Sequence, residues 1–159
     1  MIPKISVIIP AYNEEKRIRP TLKDIKEYLD KQDYDWEVII VNDGSTDETE
    51  QVVREFRDRR ISYLYQDNQG VSVARIRGIS AARGSYIGFL DADDLYLSNA
   101  LSELTGYLNQ HDEVEVVFSD GYLADNQGDY LMRLSEHRPA LCTGVILEPL
   151  VLTASVISG

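Results

Sequence analysis

Short apolar segments alternate with longer amphipathic segments along residues 1–120. A continuous run of Val, Ile and Leu predicts a strand buried on both faces, whereas apolar residues that recur every three or four positions predict a helix. Strands are predicted at 5–9, 36–41, 61–65, 86–90 and 114–119. Helices are predicted at 18–29, 45–56, 71–82 and 98–108. This alternation predicts βαβ units, and hence an α/β fold with a Rossmann-like, mostly parallel sheet flanked by helices on both faces.

Two of the predicted helices begin with a residue that caps a helix through its side chain. Ser45 and Glu48 have the spacing of a capping box, in which each side chain accepts a hydrogen bond from the backbone N–H of the other. Ser98 precedes the apolar stripe of the last predicted helix and is expected to cap it. These signals place the helix starts at residues 45 and 98.

The alternation of strands and helices stops after Asp120. An Asn-Gln-Gly sequence at 126–128 predicts a hairpin turn, 136–139 is predicted to be a loop, and 148–157 a further helix. We therefore divide the chain into an α/β domain at 1–120 and a second region at 121–159.

The composition adds a strong negative charge to this picture. The chain has 16 Lys and Arg against 27 Asp and Glu, which gives a formal net charge of −11. Such a surface repels the phosphates of nucleic acids, so we expect no nucleic-acid partner. It would also repel a nucleotide diphosphate, unless a bound cation lies between the carboxylates and the phosphates.

The cysteine content and the length of the apolar runs bear on the compartment. Cys142 is the only cysteine, so no disulfide can form within the chain, and we expect a reducing compartment, the cytoplasm. No apolar run reaches the about 20 residues that span a bilayer, and the first residues do not resemble a signal peptide.

Carboxylates follow four of the five predicted strands. They are Glu14 after the first strand, Asp43 after the second, the acidic segment 91–94 after the fourth and Asp120 after the fifth. Ligands of open α/β sheets bind outside the carboxyl ends of the strands, and the topology brings these ends to one edge. This number of acids at one edge favours a binding site over a purely structural role.

The acidic segment 91–94 holds three of these carboxylates within four residues, Asp91, Asp93 and Asp94. Such a cluster is unfavourable unless water solvates it or a cation shares it. Mg²⁺ and Mn²⁺ prefer oxygen ligands, and Mg²⁺ commonly takes one or two carboxylates together with substrate phosphates. The alternative is a solvated loop in which Asp94 precedes the next helix. The other acidic strand ends favour the cation.

Two further strand-end residues have both a binding and a structural interpretation. Asp43 could accept an N–H from a nucleobase, or serve only the turn that Gly44 permits. Tyr12 could stack on a base, or be packed under the first helix.

Three charged residues also have both a binding and a structural interpretation. Glu14 is predicted to be an acid of the first helical turn, with a ligand contact as the alternative. Arg75 or Arg77 could bind a phosphate through two hydrogen bonds, or both could face solvent.

Three segments together resemble the signature segments of family 2 glycosyltransferases, which have the GT-A fold. They are Ile-Ser-Val-Ile-Ile-Pro-Ala-Tyr-Asn-Glu at 5–14, Val-Asn-Asp-Gly-Ser-Thr-Asp at 41–47 and Phe-Leu-Asp-Ala-Asp-Asp at 89–94. The resemblance covers residues 4–120. It implies transfer of a sugar from a nucleoside-diphosphate sugar, UDP-linked by default, with inversion at the anomeric carbon and with Mn²⁺ or Mg²⁺.

The resemblance also implies roles for individual residues. Asp91 and Asp93 would be the Asp-x-Asp pair that holds the metal, with Asp93 as the direct ligand. Arg75 would approach the donor from the third helix, although Ile76 stands where the family often has Asn. The remaining donor-binding residues implied are Pro10, Ala11, Tyr12, Glu14, Asp43 and Ala92.

Inverting transfer requires a general base near the acceptor hydroxyl. In the family this base lies beyond the Asp-x-Asp pair, often in a Glu-Asp dipeptide, which this sequence lacks. We therefore expect 1–120 to be a nucleotide-sugar-binding domain, 121–159 the start of a truncated acceptor-side region, and the base to lie beyond Gly159. The expected acceptor is a glycan, a lipid or a polyprenyl phosphate in cell-surface polysaccharide synthesis, with membrane association only in a full-length protein.

Three other classes compete with this interpretation. A non-catalytic nucleotide-sugar-binding module would need no general base. A sugar nucleotidyltransferase would carry a Gly-rich basic loop after the first strand, where this chain has Ala11-Tyr12-Asn13-Glu14. A dinucleotide-binding oxidoreductase would carry Gly-x-Gly-x-x-Gly at that point, which is also missing.

Overall fold

The computed structural model describes residues 5–125, 129–137 and 147–153. The chain forms two compact units, and the boundary between them lies between Ala92 and Asp93. The functional division predicted at residue 120 stays a prediction. Among the described residues, no helix combines the length and the apolar content that a bilayer crossing requires.

The first unit contains a parallel four-stranded sheet, as predicted, and its fold class is α/β. The strands lie in the order β3-β2-β1-β4. Their bounds are Ile5–Ala11 for β1, Trp36–Asp43 for β2, Ile61–Gln66 for β3 and Tyr86–Phe89 for β4. The helices are α1 at Ile18–Leu29, α2 at Thr49–Arg54 and α3 at Val71–Ala81.

The two central strands β1 and β2 are buried along their whole length, as their continuous apolar runs predict. On one face, Ile8, Ile39 and Val41 form a cluster with Ala74 of α3. A Cβ on Gly78 would lie 2.4 Å from Cγ2 of Ile8, so the absence of a side chain there lets α3 approach β1 closely.

The opposite face of the central strands is also buried. Val7 and Ile9 of β1 are fully buried on that face, because side chains alternate along a strand. Helix α1 contributes the predicted stripe, in which Ile18, Leu22 and Leu29 are fully buried. Helix α2, which contacts α1, adds the buried Val52 and Val53.

The predicted capping box at Ser45 and Glu48 is wrong. Helix α2 begins at Thr49 and ends at Arg54, and its N-cap residue, Glu48, makes no side-chain cap. The Ser45 hydroxyl accepts a hydrogen bond from a neighbouring loop instead, at Asn13 N. A tertiary contact has therefore replaced the local one.

The described part of the second unit contains a mixed four-stranded sheet and two helices. The strands lie in the order β5-β8-β6-β7, with β8 parallel to β6 and antiparallel to β5. The elements are β5 at Asp94–Tyr96, α4 at Ala100–Gln110, β6 at Ser119–Ala124, β7 at Tyr130–Arg133, α5 at Leu134–His137 and β8 at Leu147–Thr153.

Several predictions in this unit are wrong. The strand predicted at 114–119 begins only at Ser119, and Val116 before it is 79% exposed. The helix predicted from 148 is strand β8 as far as Thr153, because a short apolar run has no period that distinguishes the two structures. The N-cap position of α4 is Asn99 rather than Ser98, and it makes no side-chain cap.

The chain after β6 forms a short helix where the sequence predicts a loop. Glu136 belongs to the short helix α5, where a loop was predicted. The predicted turn at 126–128 lies outside the described residues, while the strands on either side, β6 and β7, pair antiparallel as a hairpin requires. Residues 138–139 and 154–157 also lie outside the described part.

Candidate functional site

The candidate site lies at the carboxyl edge of the first sheet. Ala11 at the end of β1 is in register with Asn42, and Asp43 at the end of β2 is in register with Gln66. Three loops follow these strand ends, which we call the first loop (12–17), the second loop (44–48) and the third loop (67–70). The topology therefore brings the predicted residues Tyr12, Glu14 and Asp43 to one edge.

Asp43 anchors the third loop to the end of β2. Its Oδ1 accepts hydrogen bonds from Gln66 Nε2 at 2.7 Å and from Gln69 N at 2.8 Å, and its Oδ2 accepts one from Gly70 N at 2.8 Å. The residue is 4% exposed. Burial opposes ionisation, but the hydrogen bonds from Gln69, Gln66 and Gly70 outweigh it, and the pKa of Asp43 lies below its ordinary value.

Gly44 makes the approach of the second and third loops possible. Its φ of 77° lies in the left-handed region, and a Cβ there would stand 2.6 Å from Asn68 N. The turn interpretation of Asp43-Gly44 is thus confirmed in part. Gly44 adopts the left-handed conformation of a turn, and the Asp43 carboxylate binds the third loop next to it. A contact of Asp43 with a nucleobase stays a prediction. Among the described residues, Oδ2 of Asp43 accepts one hydrogen bond, and a carboxylate oxygen can accept a second.

Three successive backbone N–H groups of the first loop donate to side chains of the neighbouring segment 45–49. Asn13 N donates to Ser45 Oγ at 2.9 Å. Glu14 N donates to Thr49 Oγ1 at 2.8 Å, and Glu15 N donates to Asp47 Oδ2 at 3.0 Å. These contacts fix the backbone that directly follows Tyr12.

The second loop donates back to the first. Thr46 N donates to Asn13 Oδ1 at 2.9 Å, and Glu48 N donates to Glu15 Oε2 at 3.2 Å. Asn13 has a φ of 57°, a left-handed conformation that Asn tolerates better than most residues. Sequence reasoning missed this exchange, because the polar run 45–49 was assigned wholly to a helix start.

The structure decides between the two interpretations of Tyr12. Its side chain is 50% exposed, so it is not packed under α1. Stacking on a base remains a prediction that this exposure permits. The neighbouring Pro10 and Ala11 are buried within β1, which leaves Tyr12 as the first exposed residue after the strand.

Glu14 lies before α1 rather than in its first turn, so that prediction is wrong. Its carboxylate accepts two hydrogen bonds from Arg17, Nε to Oε2 at 2.7 Å and Nη2 to Oε1 at 2.9 Å. This bidentate ion pair stabilises the first loop, so Glu14 has a structural role there.

Arg75 of α3, a helix that contacts β1 and β2, forms an ion pair with Asp91, which follows β4. Arg75 Nη2 lies 2.7 Å from Asp91 Oδ1, and the guanidinium lies 5.9 Å from the ring centre of Phe89. Arg75 Nε is buried without a hydrogen-bond partner. Arg77 on the same helix is exposed, whereas Arg75 is partly buried. The structure therefore distinguishes two arginines that the sequence alone does not distinguish as phosphate ligands.

The part of the acidic segment 91–94 that belongs to the first unit is hydrogen-bonded to α1 through Ala92. Ala92 is 4% exposed, and its carbonyl oxygen accepts a hydrogen bond from the buried Thr21 hydroxyl. Asp93 begins the second unit. A role of Ala92 in donor binding stays a prediction.

The residues expected to hold a divalent metal are oxygen donors of the kind that Mg²⁺ and Mn²⁺ prefer. Among the described residues, no group of three His, Cys, Asp or Glu side chains is gathered around one point. One or two of these carboxylates suit an ion that completes its shell with substrate phosphates and water.

Asp120 lies inside β6 rather than at a strand end, contrary to prediction. It is 6% exposed, and its Oδ2 accepts a hydrogen bond from Ser135 Oγ at 2.6 Å. Burial raises its pKa, but hydrogen bonds from Ser135 and Gly121 outweigh this and hold the pKa below the ordinary value. A weakly basic, engaged carboxylate is a poor general base.

Comparisons with known proteins agree with this geometry. Residues 6–148 match the model of the family described as Glycosyl transferase family 2. The chain is 39% identical to the uncharacterized glycosyltransferase EpsJ of Bacillus subtilis over 120 residues, covering 74% of this chain and 33% of EpsJ. It is 38% identical to TuaG of the same organism, whose name refers to teichuronic acid biosynthesis, covering 64% of this chain and 40% of TuaG. The chain thus spans less than half the length of these relatives.

Two solved structures are similar to the chain at the level of the fold. TarS of S. aureus in complex with UDP-GlcNAc has a TM-score of 0.57 and 30% identity, over 77% of this chain and 34% of that chain. The mannosyltransferase PcManGT of Pyrobaculum calidifontis, in complex with GDP-Man and Mn²⁺, has a TM-score of 0.60 and 26% identity, over 78% of this chain and 35% of that chain. These neighbours confirm the GT-A fold.

Proposed function

The chain belongs to glycosyl transferase family 2, and from this membership we propose that its first unit binds the nucleoside-diphosphate sugar donor of a metal-dependent, inverting glycosyltransferase. The observation that carries the proposal is that Tyr12, Asp43 and Asp91 lie at or just beyond the ends of three strands of one parallel sheet, with Arg75 of α3 paired to Asp91. This edge is where open α/β sheets bind ligands.

The base of the nucleotide is proposed to lie between Tyr12 and Asp43. The exposed ring of Tyr12 offers a face for stacking, and the carboxylate of Asp43 can accept an N–H from the base. A uracil presents one such N–H, and we propose UDP as the nucleotide. The TarS neighbour carries UDP-GlcNAc, which supports this choice, whereas PcManGT carries GDP-Man, which makes GDP the alternative.

The diphosphate is proposed to lie near Arg75 and the acidic segment. Arg75 is the half-buried cation at this edge, and its planar guanidinium suits phosphate oxygens. Asp93, together with Asp91, would hold a Mn²⁺ or Mg²⁺ ion. Asp91 accepts a hydrogen bond from Arg75, and the family resemblance is the reason for proposing Asp93 as the direct ligand. When bound, such an ion supplies charge stabilisation for the departing nucleoside diphosphate.

The general base is proposed to lie outside this chain's described residues, since the buried Asp120 is engaged with Ser135. We propose a glycan, a lipid or a polyprenyl phosphate as the acceptor and a role in cell-surface polysaccharide synthesis, which the name of TuaG supports. The proposed compartment is the cytoplasm or the inner face of the membrane, in keeping with the single cysteine.

A second candidate is a nucleotide-sugar-binding module without catalysis. Sugar transfer requires a carboxylate that can accept the proton of the acceptor hydroxyl. Because Asp120 already accepts hydrogen bonds from Ser135, its geometry favours the non-catalytic module for the chain by itself. Full-rate sugar transfer by the 159-residue chain would exclude this candidate.

Calorimetric titration with UDP, with and without Mn²⁺, tests the proposal. We expect binding that is much tighter with Mn²⁺ in the wild type and is lost in Asp93→Ala. The same titrations with GDP separate the two nucleotides. Absence of binding to both nucleotides, with Mn²⁺ present and the chain folded, would overturn the proposal.

A further inference from the structure

The hydroxyl of Thr49 connects the first loop to Asp47. Oγ1 accepts a hydrogen bond from Glu14 N at 2.8 Å and donates its own proton to Asp47 Oδ1 at 2.5 Å. Thr49 is fully buried, at 0% exposure, so water cannot take over either bond without a change of structure.

Asp47 extends this connection to the next residue of the first loop. Its Oδ2 accepts a hydrogen bond from Glu15 N at 3.0 Å, while Oδ1 also accepts one from Thr49 N at 3.0 Å. Burial raises the pKa of Asp47, but the bonds from Thr49 and Glu15 outweigh it, and the pKa lies below its ordinary value. Two residues therefore hold two consecutive N–H groups of the first loop.

We propose that Thr49 and Asp47 are positioning residues for the donor site, which hold the first loop, and with it Tyr12, in the arrangement that accepts the nucleotide base. This proposal rests on the proposed function. Neither residue is assigned a contact with the donor. They act through Glu14 and the backbone next to Tyr12.

The physical basis is the entropy of loop ordering. Asp43, at the end of β2, is fixed independently by Gln69 and Gly70, whereas Tyr12 is exposed and has no such anchor of its own in the described structure. If the first loop were free, nucleotide binding would have to order it, and affinity would fall by that cost. The hydrogen bonds of Thr49 and Asp47, together with those of Ser45 and Thr46 to Asn13, order the loop in advance.

A matched pair of variants at one position tests the proposal. Thr49→Val keeps the shape of the side chain but removes the hydroxyl, whereas Thr49→Ser keeps the hydroxyl. We expect the Kd for UDP with Mn²⁺ to rise about three- to tenfold in Thr49→Val and to stay within about twofold of wild type in Thr49→Ser. Amide hydrogen exchange at residues 13–15 should become faster in Thr49→Val alone.

A variant of similar stability loss elsewhere in α2 excludes a general effect. Val52→Ala removes core volume from the same helix without touching these hydrogen bonds, so it should lower the Tm and leave the Kd for UDP unchanged. If Thr49→Val does not fold, Asp47→Asn replaces it, since an amide cannot accept all three hydrogen bonds of the carboxylate.

The outcomes separate this proposal from the proposed function. Wild-type binding of UDP together with unchanged binding in the folded Thr49→Val or Asp47→Asn variant would overturn the positioning role alone. Equal weakening in Val52→Ala would also overturn it, since stability would then explain the loss. A wild type that binds neither UDP nor GDP would overturn the proposed function and the positioning role with it.

Discussion

Arg75 on α3 and Asp91 after β4 form an ion pair, with 2.7 Å between Nη2 and Oδ1. The side chains are 37% and 49% exposed, so water screens the pair and its contribution to stability is small. A weak, half-exposed pair is easily exchanged. Under the proposed function, an incoming diphosphate would draw Arg75 to itself, and Asp91 would then become a more favourable partner for a cation. The nucleotide and the metal are therefore expected to favour each other's binding.

Replacement of Arg75 by Gln should separate these two effects. Loss of the guanidinium removes a phosphate partner, so the Kd for UDP with Mn²⁺ should rise about five- to thirtyfold. Loss of the same positive charge beside Asp91 should make binding of Mn²⁺ alone about twofold to fivefold tighter. Calorimetry of each ligand separately measures both changes.

Arg77→Gln is the matched control, because it removes the same charge from an exposed position on the same helix. Both affinities should stay close to wild type. Equal effects of the Arg75 and Arg77 replacements would mean that overall charge, and not the pair with Asp91, determines binding.

The buried Glu37 should be a stability determinant of the first unit. It is 4% exposed, and it accepts hydrogen bonds from Ser6 Oγ at 2.7 Å, Arg83 N at 2.8 Å and Arg83 Nε at 2.9 Å. Glu37→Gln replaces one acceptor oxygen with a donor that faces other donors. The free energy of unfolding should fall by about 2–4 kcal/mol, measured by urea titration.

Glu27→Gln serves as the control for Glu37. Glu27 pairs with Lys23 across one turn of α1 on the exposed surface, and the replacement should leave the urea midpoint unchanged. A loss as large as that of Glu37→Gln would show that charge alone, rather than burial, is decisive.

Acidification should weaken the anchor at Asp43. Its folded-state pKa is lowered from the ordinary value of 3.8, so its contribution to stability is complete above that value and is lost as the pH falls through the lower folded-state pKa. Asp43→Asn should therefore be less stable than wild type at pH 7, and the difference should narrow below about pH 4. Urea titrations between pH 7 and pH 3 measure the difference, and a constant gap would contradict the assignment.

Gly44 should not tolerate a side chain. Gly44→Ala must adopt a φ of 77° with its Cβ 2.6 Å from Asn68 N, so the Tm should fall and the free energy of unfolding should decrease by about 1–3 kcal/mol. Gly106→Ala in α4, where a Cβ meets nothing within 4 Å, should leave the Tm unchanged or raise it. Thermal unfolding followed by circular dichroism compares the two variants.

The apolar pattern by itself determined β1, β2 and the parallel sheet, because segments such as Val38–Val41 are continuous enough to require burial on both faces. The stripe of α1 was equally readable, since Ile18, Leu22 and Leu29 lie on one helical face. The strand-end rule, applied to the sequence alone, places Tyr12 and Asp43 at a common edge. In the second unit the same pattern was insufficient, and β8 was mistaken for a helix.

Only the tertiary structure decided how these edge residues are held. The partners of Asp43 lie 23–27 residues away, at Gln66, Gln69 and Gly70, and the partner of Glu14 N is Thr49, 35 residues away. Local sequence signals describe what a residue can bond, and in the run 45–49 they favoured a helix cap. Which donor reaches which acceptor depends on how closely two loops approach once the sheet has formed, and that distance has no signature within a short window of sequence.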